Sequence, residues 1–146
     1  MKLLFSILLA LSIANARAES WVDFNVAAHH WNREETHKYN YNENNYGVGY
    51  EYQENQKIFM IGFYKNSLYR NSTYGLVGLM PLHTDHVSAG AVIGYVAGYQ
   101  VAPIIPAAGL LVSFNQKNVG INLIAVPTAH SLKASGFLGL QFKIKL

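Results

Sequence analysis

The feature of this sequence that most constrains its fold is an alternation, at every second residue, of large apolar side chains with small or polar ones. It is clearest in residues 46–54, where Tyr46, Val48, Tyr50 and Tyr52 alternate with Gly, Glu and Gln. Successive side chains of a β-strand point to opposite faces, so a strand with this alternation has one apolar face and one small or polar face. Eight segments show the alternation or an enrichment in β-branched and aromatic residues: 22–31, 46–54, 57–66, 72–81, 87–99, 107–115, 117–126 and 134–145.

The composition indicates which solvent the apolar faces of these strands meet. The chain contains 10 Tyr, 7 Phe and 12 Gly, but only 13% of its residues are charged, about half the fraction that is usual in a soluble domain. After residue 18 there is no apolar run of the roughly 20 residues that a transmembrane helix needs. An even number of antiparallel strands in a closed sheet can pair every backbone group within a membrane. We therefore expect an all-β fold, an eight-stranded antiparallel up-and-down transmembrane β-barrel.

The alternation also predicts which side chains of each strand face lipid. In the third segment Phe59, Ile61 and Phe63 are predicted to lie outside. In the last segment the predicted lipid-facing residues are Leu138, Leu140, Phe142, Ile144 and Leu146. In the fourth segment the predicted lumen-facing residues are Ser72, Tyr74, Leu76, Gly78 and Met80.

The N-terminus has the pattern of a secretory signal peptide. Lys2 is followed by an apolar run over residues 3–13 and by the tripeptide Ala-Arg-Ala at residues 16–18, which is the charged, apolar and small-residue order of such signals. We therefore predict a signal peptide at residues 1–18 and a single barrel domain at residues 19–146 that is exported to the outer membrane. A retained membrane anchor is the alternative interpretation, but the apolar run is too short to span a bilayer.

Charge and cysteine content exclude several kinds of site. The whole chain has a formal charge of +3, but Lys2 and Arg17 belong to the predicted signal peptide, so the barrel domain would be close to neutral. We therefore predict no nucleic-acid partner, and we expect a monomer in the membrane. The chain has no cysteine, which excludes a disulfide, a thiol nucleophile and a zinc–thiolate site.

The predicted connections alternate between short turns and longer loops. Residues 55–56 and residue 116 are the shortest connections, whereas residues 32–45 and 100–106 are the longest. In outer-membrane barrels the short turns face the periplasm and the long loops face the exterior. The ends of the first and third strands and the starts of the second and fourth should therefore lie at the outer rim.

Polar residues expected at this rim could carry chemistry. A serine and a histidine together provide a nucleophile and a general base, the minimum for acyl transfer. Ordinary polar loop residues are the alternative interpretation. The candidates are His29, His30, Arg33, Tyr41, Asn42, Glu43, Asn66, Ser67 and Arg70.

Strand alternation separates the two adjacent histidines. It puts His30 in the lumen with Phe24 and Val26, and His29 outside with Trp31. The two rings then point apart and cannot chelate one metal ion, so no metal site is predicted. The histidines at positions 37, 83, 86 and 130 fall in predicted loops or turns, where a solvated imidazole is expected.

Several short motifs also occur in an order typical of one enzyme family. His30 is followed by Arg33, the tripeptide Tyr-Asn-Glu at residues 41–43 precedes Gly-Val-Gly-Tyr at residues 47–50, and residues 63–67 read Phe-Tyr-Lys-Asn-Ser. In this order the motifs resemble the lipid A palmitoyltransferase (PagP) family, whose corresponding segment reads Phe-x-Lys-Asp-Ser. Asn66 therefore stands where that family has an aspartate.

The resemblance implies an outer-membrane acyltransferase that moves an acyl chain from a phospholipid to lipid A without a cofactor. Ser67 would attack or orient the ester, His30 would be the general base, and Asn66 would occupy the position of the residue that orients it. Lipid would enter between the sixth and seventh strands, where Pro106 and Pro127 match prolines that open a lateral gate in the family. The residues implied in substrate binding are Arg33, Tyr41, Asn42, Glu43, Arg70, Gly78, Pro106 and Pro127.

In that interpretation the acyl chain would lie inside the barrel and end near Gly78. Inward-facing glycines would leave room for it, although they could equally relieve crowding in a tight barrel. These glycines are Gly49, Gly62, Gly78, Gly90, Gly94 and Gly120. The second hypothesis of function is a non-catalytic outer-membrane barrel that modifies surface properties or blocks a receptor, such as a phage-encoded exclusion factor.

Overall fold

Residues 18–100, 102–129 and 135–146 are described by a computed structural model. They form eight antiparallel strands in which each strand pairs with its neighbours in sequence and the eighth pairs with the first, closing a barrel. The strands are β1 (Ala18–His30), β2 (Gly47–Glu54), β3 (Lys57–Lys65), β4 (Asn71–His83), β5 (Val87–Ala97), β6 (Ile104–Gln116), β7 (Val119–Val126) and β8 (Phe137–Lys145), and a short helix α1 (Arg33–Lys38) separates β1 from β2. The predicted eight-stranded up-and-down architecture is confirmed. Of the predicted signal peptide at residues 1–18, residues 1–17 lie outside the described residues, and Ala18 is the first residue of β1.

The outside of the barrel is apolar, as the alternation predicts. On β3, Phe59, Ile61 and Phe63 are exposed, whereas Ile58 and Met60, which alternate with them, are buried. The predicted lipid-facing residues at the C-terminal end are exposed as well: Leu138, Leu140, Phe142, Ile144 and Leu146. A band of exposed apolar side chains around a closed sheet is the surface of a barrel of the outer-membrane type.

A β-bulge in β1 changes the predicted side-chain directions of that strand. The register between β1 and β8 shifts between Asn25 and Ala27, so Val26 is an extra residue in β1. A bulge interrupts the alternation, and side chains on either side of it no longer keep the same parity. His30 is therefore inside the barrel, as predicted, but Phe24 and Val26 are exposed on the outside, and their predicted lumen position is wrong.

The barrel has a turn end and a loop end. At the turn end, short turns at residues 55–56, 84–86 and 117–118 join the strands. At the loop end, longer connections follow β1, β3, β5 and β7, and the first of them contains α1. Within the described parts of the chain, no helix combines the length and the apolar character needed to cross a bilayer.

Side chains fill the interior, which has an apolar part and a polar part. Apolar residues of β3 to β6 form one buried cluster: Ile58, Met60, Tyr74, Leu76, Met80, Val92 and Leu111. Polar and charged residues, most of them from β1, β2, β7 and β8, are also buried: Asp23, Glu51, Gln53, Ser113, Asn122, Gln141 and Lys143. A small barrel has an interior just wide enough for side chains to fill, and these two sets of residues occupy it.

The inward-facing glycines make room for neighbouring protein atoms. A Cβ atom at Gly62 would lie 2.7 Å from Cζ of Tyr74, and one at Gly49 would collide with the hydroxyl of the same tyrosine. A Cβ atom at Gly78 would lie 2.8 Å from Cγ1 of Val92 and would collide with the backbone of the neighbouring strand. At these positions the glycines relieve crowding in a tight barrel, and at Gly78 the neighbour is Val92 of the buried apolar cluster.

Candidate functional site

The connection between β1 and β2 contains the helix α1 and is hydrogen-bonded to the β3–β4 connection. α1 begins after Asn32, whose Oδ1 accepts a hydrogen bond at 3.1 Å from a backbone N–H of the first turn, as a helix N-cap does. Farther along, the backbone N–H of Asn42 donates to the carbonyl of Ser67 at 2.8 Å. Asn45 Nδ2 donates to the carbonyl of Lys65, also at 2.8 Å. Direct hydrogen bonds therefore hold the β1–β2 and β3–β4 connections together.

His30 is the most enclosed of the predicted rim histidines. The centroid of its ring lies 5.1 Å from that of Tyr41 and 5.9 Å from that of Phe137, and the residue is only 4% exposed. Its Nδ1 lies 3.5 Å from Oε1 of Glu43, beyond the usual hydrogen-bond distance. Two aromatic rings and one carboxylate therefore surround the imidazole.

Glu43 connects this histidine to the β1–β2 loop. Nη1 of Arg33 donates to Oε1 of Glu43 at 2.5 Å, and the backbone N–H of His30 donates to the same oxygen at 3.0 Å. Burial alone would raise the pKa of the Glu43 carboxyl, but the hydrogen bonds from Arg33 and His30 and the charge of Arg33 outweigh it and lower that pKa to about 2. Glu43 is thus an ionised link between the end of β1 and α1.

Asn66, predicted next to the catalytic pair, uses its carboxamide to hold the β3–β4 connection. Its Nδ2 donates to Oγ of Ser72 at 2.9 Å and to the carbonyl of Gly98 at 3.3 Å. Its Oδ1 accepts from the backbone N–H groups of Leu68 at 2.9 Å and Arg70 at 3.0 Å. A carboxamide has two donor hydrogens and one oxygen with two lone pairs, so all of these groups are in use. Asn66 has no hydrogen-bonding capacity left with which to orient His30.

Ser67 lies close to this turn but is not paired with the predicted general base. It is half-buried, and its carbonyl accepts the hydrogen bond from Asn42. The carboxylate next to the His30 imidazole is that of Glu43, and within the described residues no hydrogen bond joins that imidazole to Ser67. The predicted rim residues therefore occupy one end of the barrel without forming a Ser–His pair.

The ladder between β6 and β7 stops before the loop end. Its last pair is Leu110 with Ala125, although β6 begins at Ile104. Pro106 lies in the part of β6 beyond this ladder, and Pro127 directly follows β7. Proline has no N–H to donate to a ladder, so both prolines suit the region where the pairing ends.

The Ser–His hydrogen bond that the structure does contain is at the turn end. Nδ1 of His83 lies 2.9 Å from Oγ of Ser88 and 3.0 Å from Nε2 of Gln53. Ser88 is fully buried, so this pair supports the β4–β5 turn and its hydroxyl is not open to a substrate. His83, which was expected to be solvated, is half-buried, and its imidazole contacts the buried side chains of Gln53 and Ser88.

Comparisons with known proteins support the fold. No protein-family model matches the chain, and no curated protein is significantly similar to it. The solution NMR structure of a de novo designed protein, TMB2.3, superposes with a TM-score of 0.60 at 19% identity, covering 88% of this chain and 95% of the designed one. The backbone structure of the Yersinia pestis outer membrane protein Ail in a phospholipid bilayer nanodisc gives a TM-score of 0.48 at 16% identity, covering 89% of this chain and 100% of Ail. At 19% identity the designed protein supports the fold alone, and neither structure connects the chain to the lipid A palmitoyltransferase family.

Proposed function

We propose that this protein is exported to the outer membrane and acts there as a non-catalytic barrel, through the surface that its loop end presents outside the cell. The observation that carries the proposal is the hydrogen bonding of the Asn66 side chain. Its carboxamide, at the position of a catalytic residue in the family that the sequence resembles, is fully used in holding the β3–β4 connection. The packing at Gly78 agrees with this interpretation, because Val92 of the buried cluster lies next to this glycine, where the end of an acyl chain would need space.

The loop end is suited to contact with another molecule. It carries four large aromatic residues that are about half or more exposed: Trp31, Tyr39, Tyr46 and Tyr69. The β1–β2 and β3–β4 connections, which carry these residues, are hydrogen-bonded to each other in the free protein. A surface that is already ordered loses less conformational entropy on binding than a flexible one. Surface modification or the blocking of a receptor would both use such a platform.

Mass spectrometry of lipid A tests the absence of catalysis. Lipid A would be extracted from cells that express the protein and from cells that carry an empty vector, after the barrel is shown to be present in the outer membrane of the first. We expect identical lipid A masses. An added acyl mass in the expressing cells would contradict the proposal.

A phospholipid:lipid A acyltransferase is the second candidate, and one arrangement favours it. The β6–β7 ladder ends at Leu110 and Ala125, which would allow lipid to approach from the membrane next to Pro106 and Pro127. In this candidate His30 is the general base and Glu43, in place of Asn66, is the carboxylate next to it. Ser67 would attack or orient the ester once substrate brings it to His30.

Variants at the three rim positions distinguish this candidate from the first. If acylation is observed, Ser67→Ala and His30→Ala should each abolish it, and His29→Ala should have little effect because that ring is exposed on the outside. His30 packs against Tyr41 and Phe137, so the yield of folded barrel must be measured for each variant. Acylation that survives Ser67→Ala and His30→Ala in folded barrels would refute these roles.

A further inference from the structure

The polar part of the barrel interior contains a buried ion pair. Nζ of Lys143 lies 2.6 Å from Oε1 of Glu51, and both residues are fully buried. Oε2 of Glu51 accepts a hydrogen bond from Nδ2 of Asn122 at 2.7 Å. Nζ of Lys143 also lies 3.4 Å from Oγ of Ser113 and 4.6 Å from the centroid of the Trp21 ring. Both oxygens of Glu51 and the ammonium of Lys143 are therefore already occupied.

A second carboxyl group, that of Asp23, lies beside this pair without a partner. Asp23 is fully buried, and neither of its carboxyl oxygens has a hydrogen-bond partner among the described residues. In the β1–β8 ladder Asp23 stands directly opposite Lys143, yet the ammonium of that lysine contacts Glu51 instead. On its other side Asp23 pairs with Gly49 of β2, which has no side chain to offer. The space beside Gly49 is taken by the hydroxyl of Tyr74.

The charges of this cluster do not balance. Asp23 on β1 and Glu51 on β2 supply two carboxyl groups, whereas Lys143 on β8 supplies one ammonium. Among the residues that the structure describes, the further titratable neighbour is the Tyr74 hydroxyl on β4, which accepts a hydrogen bond from Nε2 of Gln141 at 3.3 Å. An ionised carboxylate buried without a counter-charge is very costly. The interior therefore needs one further positive charge at Asp23.

We propose that Asp23 is the binding site of a small cation inside the barrel. The bound cation would carry one positive charge, and it would be either a proton or a monovalent metal ion. Calcium takes six to eight oxygen ligands, whereas Asp23 offers two free oxygens, so the site does not suit a calcium ion. The proton is the source that this geometry favours, because it needs a single oxygen. The site couples the stability of the barrel to the pH or the salt around it, independently of what the loop end binds.

The aspartate composition of the chain makes a direct test possible. Asp23 and Asp85 are its only aspartates, and Asp85 is exposed in the β4–β5 turn. The wild-type barrel would be labelled with carbon-13 at the aspartate side-chain carboxyl, placed in lipid nanodiscs and followed by NMR from pH 3 to pH 9 in sodium chloride and in choline chloride. This experiment uses the wild-type protein, so its result is valid even if a substitution at Asp23 prevents folding.

The two sources give different spectra. If Asp23 binds a proton, its signal keeps the position of a neutral carboxylic acid well above about pH 4, where an aspartate in water ionises, with no difference between the two salts. If it binds a metal ion, its signal differs between sodium and choline at one ionic strength while that of Asp85 does not. An Asp23 signal that moves to the carboxylate position near about pH 4, as that of an aspartate in water does, and is indifferent to sodium would overturn the proposal.

Asp23→Asn, with Asp85→Asn as the matched control, provides the second arm. Bound protons would make the urea midpoint of the wild type fall as the pH rises from 5 to 9, because the occupied form of the site is then lost. Bound sodium would make that midpoint higher in sodium chloride than in choline chloride. Either dependence should be lost in Asp23→Asn and kept in Asp85→Asn. An Asp23→Asn barrel with the same dependences as the wild type would refute the site.

Discussion

Replacing Asn66 with alanine should destabilise the barrel strongly, because one side chain holds together several parts of the loop end. Its carboxamide makes four hydrogen bonds, to groups at Ser72, Gly98, Leu68 and Arg70. A hydrogen bond within a protein contributes about 1 kcal/mol to the free energy of unfolding. Loss of all four bonds, in a residue that is fully buried, should therefore lower that free energy by about 3–4 kcal/mol.

The measurement is equilibrium urea unfolding of the barrel in lipid vesicles, followed by tryptophan fluorescence. Asn44→Ala is the matched control, since Asn44 lies in the neighbouring loop with an exposed side chain, and it should change the free energy of unfolding by less than about 0.5 kcal/mol. Asn66→Asp should fall between the two, because a carboxylate keeps the two accepted bonds and loses the two donated ones. If Asn66→Ala were as stable as Asn44→Ala, the carboxamide would not hold the loop end, and it would be free for a role beside His30.

Three other predictions follow from the described contacts. Gly62→Val should lower the free energy of unfolding by about 1–3 kcal/mol, as overpacking does, because its side chain would meet a tyrosine ring; unchanged stability would mean that the ring has space to move. The amide NMR signal of His30 should shift with a midpoint near pH 2, the pKa of Glu43, and Glu43→Gln should abolish the shift. Since this pKa lies below its ordinary value of 4.5, the contribution of Glu43 to the free energy of unfolding is complete above pH 4.5 and is lost as the pH falls toward 2. Lys143→Met should lower the free energy of unfolding by about 3–5 kcal/mol, as expected when one partner of a buried ion pair is removed. The same change at the exposed Lys57 should lower it by less than about 0.5 kcal/mol, and equal effects would show that the buried pair contributes nothing to stability.

The strands and most side-chain directions could be predicted from the sequence because they depend on a local pattern. In β3 each large apolar residue follows the last by two positions, so Phe59, Ile61 and Phe63 lie on the outside whatever the rest of the chain does. The bulge at Val26 has no such signal. Its neighbours are ordinary strand residues, and the extra residue becomes visible only in the pairing of β1 with β8, two strands at opposite ends of the sequence.

The site was harder to predict, because it depends on which groups meet across loops. The sequence pointed to Asn66 as the neighbour of His30, through its position in a motif, but the asparagine is fully engaged in its own turn. Glu43 takes that place, since the loop after α1 returns to the end of β1 and the backbone N–H of Ala28 donates to the Glu43 carbonyl. A signal for Glu43 existed, because Arg33 precedes it in the same connection and opposite charges within one connection favour a pair.

The buried ion pair in the lumen could have been anticipated in part. The alternation in β2 puts Glu51 on the inner face, and a charge inside a membrane barrel needs a partner. Its partner, Lys143, is 92 residues away in the sequence. Only closure of the barrel, which places β8 next to β1 and β1 next to β2, brings the two together.

Cysteine labelling of intact cells tests most directly whether the barrel spans the outer membrane with its loop end outside. The chain has no cysteine of its own, so single cysteines can be introduced at His37 in α1 and at Gln56 in the β2–β3 turn, both exposed, and probed with a maleimide that cannot cross the membrane. We predict that the His37→Cys protein is labelled on intact cells and that the Gln56→Cys protein is labelled only after the outer membrane is permeabilised. Labelling of Gln56→Cys on intact cells, with His37→Cys protected, would contradict the orientation, and recovery of both proteins in the soluble periplasmic fraction would contradict the membrane barrel itself.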